Sequence, residues 1–216
     1  MGVMRKVLNW YARLAPTHGK AVPPYRHVIQ VGDPLLRRTS DDVPVNNIKT
    51  EKIQTVIEKL QYVIMKYNSV GMSAPQIGIN LRIFAMMFTS KQLATLSSNI
   101  IKSTGVEVVP FTVFINPTMK VLDYNKVVHQ EGCESVKGFA ADVARYKKVQ
   151  ISGYNASGEL QTMEYSDWPA RIAQHELDHL NGVIYTDIMD RKSLLCLCWK
   201  EVNMSCGKVV LPYSPE

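Results

Sequence analysis

Between Ile53 and Tyr67 an apolar residue returns at every third or fourth position: Ile53, Val56, Ile57, Leu60, Val63, Ile64 and Tyr67. That spacing is one stripe of an α-helix, and Glu51, Lys52, Glu58, Lys59 and Lys66 fall off it. The pattern predicts a helix over 49–67, ending near Asn68-Ser69, and the rest of the chain has to cover its apolar face. Ahead of it Pro16, Pro23, Pro24, Pro34 and Pro44 predict irregular backbone over 15–46.

Beyond this helix the pattern turns to strands. Val70-Gly71-Met72-Ser73-Ala74-Pro75-Gln76-Ile77-Gly78 is small-residue backbone with a proline and predicts a loop. Residues 81–88 read as a buried strand, and the polar, Ser/Thr-rich stretch 90–105 as a surface loop. Further strands are expected at 106–115, 126–135 and 147–154, with Pro110 marking an edge or a bulge. Asn155-Ala156-Ser157-Gly158 is a hairpin turn, and 159–165 its return strand. Ser166 or Asp167 can then cap a second helix with Pro169 in its first turn, which Asn181-Gly182 stops. The tail over 194–211 reads as apolar and β-like. The fold class is α+β: mostly antiparallel strands, one long early helix and one late helix.

Composition removes several alternatives. With 46% hydrophobic and 20% charged residues in 216, the chain is neither disordered nor short of a core. No apolar run approaches the roughly 20 residues of a membrane-spanning helix. The net charge of +6 is a property of the leader: residues 1–32 hold five Arg and Lys and no acid, leaving 20 basic against 19 acidic residues beyond. A basic face for direct nucleic-acid contact is therefore not expected. Residues 1–24 read as a basic leader of the organelle-targeting kind, a transit peptide, and 25–216 as a single catalytic domain.

The late helix contains His175-Glu176-Leu177-Asp178-His179. Histidines at i and i+4 project from one helical face, close enough to share a metal ion. Glu176 stands beside such an ion and can take a proton from water. Three options exist for a third protein ligand. In the spacing H-E-x-x-H-x-x-G-x-x-H, Gly182 is in place but the last position is Tyr185, which fails as that ligand. Glu201 lies downstream and would define a zinc endopeptidase. Cys133, after Gly132, offers a thiolate suited to a borderline or soft divalent ion. Read by itself, Cys133 is more readily a small buried hydrophobe. Cys196, Cys198 and Cys206 read as core or incidental thiols.

Taken together, Gly71-Met72-Ser73-Ala74-Pro75-Gln76, Glu131-Gly132-Cys133-Glu134-Ser135 and Gln174-His175-Glu176-Leu177-Asp178-His179 resemble the three signature motifs of peptide deformylase, in the family's order and with family-like spacing. The likeness extends over residues 25–195 and includes Trp168, Arg171 and Tyr185-Thr186-Asp187. It implies a metal-dependent hydrolase that removes the formyl group from the N-terminal formylmethionine of new polypeptides. Carried across, Cys133, His175 and His179 hold one divalent ion, iron(II) in the family's usual form, with zinc, nickel or cobalt as substitutes. Glu176 becomes the general acid/base, and the Gln76 carboxamide and the Glu134 backbone N–H stabilise the oxyanion.

The substrate side is read around those motifs. Gly71 and Gly132 admit close approach of backbone, and Val70, Trp168 and Ile172 are placed to line a methionine pocket. Glu131 positions its loop or a metal ligand, with Arg145 as its salt-bridge partner, and Arg171 faces the mouth or an acidic neighbour. Asp178 reads as a solvated helix residue, with a hydrogen bond just outside the metal ligands as the alternative. Two positions depart from the family pattern: Ser69 stands for a glycine, and Glu134 for a leucine. The Glu134 form is similar to the animal mitochondrial branch, which agrees with the basic leader and predicts a mitochondrial location. It also sets a charge beside the site, which keeps a catalytically inactive relative in view. The expected partners are N-formylmethionyl peptides or nascent chains. The apolar tail either completes the core or forms the face of a homodimer.

Overall fold

The apolar stripe folds as α1 (Glu51–Tyr67) with all seven stripe residues buried in the computed structural model, which describes residues 21–215. Asn68 adopts the left-handed conformation (φ 51°) and its N–H closes on the Ile64 and Met65 carbonyls, which ends the helix. Residues 1–20 of the expected leader lie outside the described residues.

The sheet runs β1 (Gly71–Ser73), β2 (Ile83–Phe88), β3 (Val109–Gly132), β4 (Phe139–Tyr154) and β5 (Leu160–Ser166) in that spatial order, every pair antiparallel. β2 is buried on both faces, which is why it reads as an unbroken apolar run. Ile83 and Ala85 join the cluster around α1, whereas Phe84 and Met86 join the cluster around the late helix α4 (Asp167–Leu180). Two layers of core therefore meet at one strand. Leu60 and Ile64 lie in the first and Ala173, Leu177 and Leu180 in the second.

Several local expectations are corrected. The 70–78 segment is not all loop: β1 pairs Met72 with Ala85, so the buried backbone of these small residues is satisfied by a ladder. A 3-10 turn at Ala74–Ile77 follows. The 90–105 stretch forms two short helices, α2 (Ser90–Leu93) and α3 (Ser98–Thr104). Thr89 and Ser97 cap them through their hydroxyls, so the Ser/Thr content there marks helix starts.

The strands expected at 106–115 and 126–135 are one strand, β3, of 24 residues. It passes from β2 to β4 through register shifts, the first between Ile115 and Thr118, where Asn116 takes φ 52°. The polar residues that hid its middle lie on the exposed part of this bent ribbon. β4 begins at Phe139 rather than 147, because alanines and a buried arginine replace the usual β-branched pattern there. The tail is only briefly extended. After the short helix α5 (Tyr185–Ile188), β6 (Leu195–Cys196) pairs with the start of β4, and α6 (Trp199–Met204) follows. No helix among the described residues is long and apolar enough to cross a membrane.

Leu60 is fully enclosed where α1 meets the sheet. Leu60→Ala should lower unfolding stability by about 2–5 kcal/mol through lost burial and the cavity left behind. A denaturant midpoint measured at unchanged m-value checks this.

Candidate metal centre and active site

α4 positions the site because the sequence at its start forces a sharp entry from β5. Ser166 is the extended N-cap, Asp167 sits at φ 54°, and Pro169 occupies the first turn. Ile172, Ala173, Leu177 and Leu180 then fix the helix against the sheet. Its other face turns His175, Glu176 and His179 toward the end of β3. The two imidazole rings lie 5.0 Å apart between centroids.

Cys133 is the residue immediately after β3. Its Sγ lies 3.2 Å from His179 Nε2. Donor atoms of Cys133, His175 and His179 all fall within 4.8 Å of one another. One thiol and two imidazoles form a donor set that suits a borderline divalent ion and leaves room for a further ligand. Burial and the neighbouring His175 push His179 well below the ordinary imidazole pKa, which favours the neutral ring a ligand must present. The expected alternative donor, Glu201, is exposed on α6 and is not part of this group.

Behind the donors stands Glu131, which is buried. Its Oε1 accepts from Arg145 Nε at 2.9 Å and Arg171 Nη1 at 2.6 Å. Its Oε2 accepts from Arg145 Nη2 at 2.9 Å and lies 3.1 Å from His175 Nδ1. That contact turns the other nitrogen of His175, Nε2, toward the cysteine side. Burial opposes ionisation of Glu131, yet the hydrogen bonds and positive charge of His175 and Arg145 hold its carboxyl far below the usual range. Arg145 also pairs with Asp178, and Arg171 donates to the Val143 and Val127 carbonyls. Asp178 is thus a half-buried partner and not the solvated residue that its sequence position suggested.

Glu176 is 3% exposed, and Oε2 has no hydrogen-bond partner among the described residues. Burial pushes its carboxyl up to about 7, a value at which it can both take and return a proton near neutrality. Gln76 is held from the other side. Its Oε1 accepts from the Ser73 N–H at 2.9 Å and the Ser73 hydroxyl at 3.0 Å. Its Nε2 therefore points at Ser135 Oγ, 3.2 Å away, and toward the Cys133 sulfur, 3.6 Å away. Glu134 is paired with Lys137 at 2.8 Å, so its charge beside the site is balanced.

Of the expected site residues, Val70, Gly71, Gln76, Glu131, Gly132, Cys133, Glu134, Trp168, Ile172, His175 and Glu176 line one cavity of about 420 Å³. His179 is buried, 1% exposed, and reaches the site through its contact with Cys133. Leu197, Cys198 and Leu211 from the tail share the cavity and escaped the sequence reading. The only signal for them was the unexplained apolarity of residues 194–211.

A cysteine and two histidines beside a buried glutamate and an oriented carboxamide define a metal-dependent hydrolase acting on a carbonyl substrate. The family model for polypeptide deformylase matches residues 25–194. A human mitochondrial peptide deformylase is 38% identical over 185 residues, 86% of this chain and 76% of that protein. A chloroplastic peptide deformylase 1A of Solanum lycopersicum is 35% identical over 181 residues, 84% of this chain and 64% of that protein. The crystal structure of peptide deformylase from Thermotoga maritima superposes with a TM-score of 0.62 at 30% identity, covering 77% of this chain and 98% of that one. The chain belongs to the peptide deformylase family, metal-dependent enzymes that remove the N-terminal formyl group of new polypeptides.

Two substitutions test this geometry. A Cβ at Gly71 would collide with Glu176 Oε1 and Ile172. Gly71→Ala should therefore leave the helical circular dichroism intact and lower kcat on a formyl-methionyl peptide roughly hundredfold. Glu131→Gln removes the buried charge that balances Arg171 and half of the pairing of Arg145, which keeps Asp178, and it loosens the hold on His175. It should cost about 3–5 kcal/mol of stability and weaken metal affinity roughly 10–100-fold, read by denaturation and by metal titration.

Proposed function

We propose that this peptide deformylase holds one divalent ion through Cys133, His175 and His179, uses Glu176 as its proton carrier, and serves N-formylmethionyl chains in the mitochondrion. The convergence of the three donors within 4.8 Å of one another, beside Glu176, carries this reading. When bound, the ion supplies Lewis acidity, which brings the pKa of water from 15.7 toward about 7 in favourable sites.

The chain's own groups do the rest. Glu176 takes the proton from the attacking water and delivers it to the departing amine nitrogen of methionine. The carbonyl oxygen, as it gains charge, meets the Gln76 Nε2 donor and the Glu134 backbone N–H. Ser73 keeps that carboxamide from turning over. Val70, Trp168 and Ile172 offer apolar surface for the methionine side chain. Gly71 and Gly132 let extended substrate backbone approach without a Cβ in the way.

Iron(II) is the resident ion in this reading, with zinc, nickel and cobalt fitting the same donors. The acid-free basic leader over 1–24 and the human mitochondrial relative support a mitochondrial location. The catalytic unit is the single domain 25–216. The apolar tail contributes Leu197, Cys198 and Leu211 to the chain's own substrate cleft.

Protein prepared anaerobically with iron(II), nickel or cobalt should release formate from formyl-Met-Ala. Cys133→Ala should lose the ion. Glu176→Gln should keep it and lose roughly 10²–10⁴-fold in kcat. Gln76→Ala should cost about 3–4 kcal/mol of transition-state stabilisation, read from kcat/KM. Wild-type protein with one ion per chain and no formate release would refute the reading.

A further inference from the structure

Resting on the deformylase reaction, we propose that the C-terminal segment 195–214 is a wall of the substrate cleft and selects for apolar side chains at the second and third residues of the substrate.

The segment is tied down near both of its own ends. At one end β6 pairs Cys196 with Phe139 and Leu195 with Ala140, and the Leu197 N–H donates to the Gly138 carbonyl at 2.8 Å. At the other, the Tyr67 hydroxyl donates to the Tyr213 carbonyl at 3.0 Å, and Lys66 Nζ lies 2.9 Å from Ser214 Oγ. Between these anchors Leu211 lies over Gly138, a glycine at φ 86° where any Cβ would strike the leucine. Leu197, Cys198 and Leu211 thereby line the same cavity as Glu176.

This wall has unspent apolar surface. Leu197 is 55% exposed and Phe139 42% exposed. The nearby charges are already matched: Glu134 pairs with Lys137, and Glu131 with Arg145 and Arg171. An extended peptide advances about 3.3 Å per residue. A chain whose methionine lies near Val70, Trp168 and Ile172 must carry its next residues out of the cavity across its lip. The surface offered there is Leu197 and Leu211 of the tail beside Phe139 of β4, and an aspartate or serine gains nothing from it.

The test compares kcat/KM of the metal-loaded full chain on formyl-Met-Leu-Leu and formyl-Met-Ser-Ser. Wild type should prefer the leucine peptide by roughly tenfold, expressed in KM. Leu197→Ser and Leu211→Ser should each reduce the preference severalfold. Val210→Ser should leave it unchanged, since Val210 is 90% exposed and does not line the cavity. Leu197 is half in solvent, so its variant isolates selection from folding. Equal wild-type efficiency on the two peptides, or full preference retained in Leu197→Ser, overturns the selection and leaves the reaction standing. No formate from either peptide overturns both.

Discussion

One buried carboxylate organises this molecule. Glu131, at the end of β3, accepts hydrogen bonds from Arg145 of β4 and from Arg171 and His175 of α4. Removing a carboxylate from water costs several kcal/mol, and only dense pairing offsets it. The pairing is possible because β3 and β4 are in register beside α4, with Glu131 opposite Ala141. The same group that locks the strands to the helix also orients a histidine of the metal donor set. Architecture and chemistry share one atom pair.

From that lock the site geometry follows. Cys133 is two residues further along the backbone than Glu131, and His179 one helical turn beyond His175, so registering the first pair brings the second together. Gln76 arrives from a different direction, through the turn that follows β1. Its carboxamide is oriented locally by Ser73 and needs nothing from the Glu131 network. The site is therefore assembled from two independently fixed halves that meet at the cavity.

The parts legible in the sequence were those governed by short-range periodicity or fixed chemistry. α1 and α4 announced themselves through stripes and caps, and the histidine pair through its i, i+4 spacing. Gln76 carried meaning only through the joint likeness of three motifs, and Cys133, one of several candidate ligands by its chemistry, was singled out by the same likeness. The illegible parts depend on long-range pairing. β1 is three residues long and is a strand only because β2 lies beside it. β3 reads as two pieces because its polar middle is exposed on a bent ribbon. Asp178 looks solvated until Arg145 arrives from another strand. The tail's role was hidden for the same reason: nothing local says which cavity a stretch of leucines will reach.

α4 holds apolar residues of the core on one side and the reactive groups on the other, with no hinge between them. Heat that loosens the Leu177 and Leu180 packing therefore displaces the histidines in the same event. Loss of turnover and loss of tertiary structure should share a single cooperative transition, with no temperature range in which an intact scaffold carries a disordered centre.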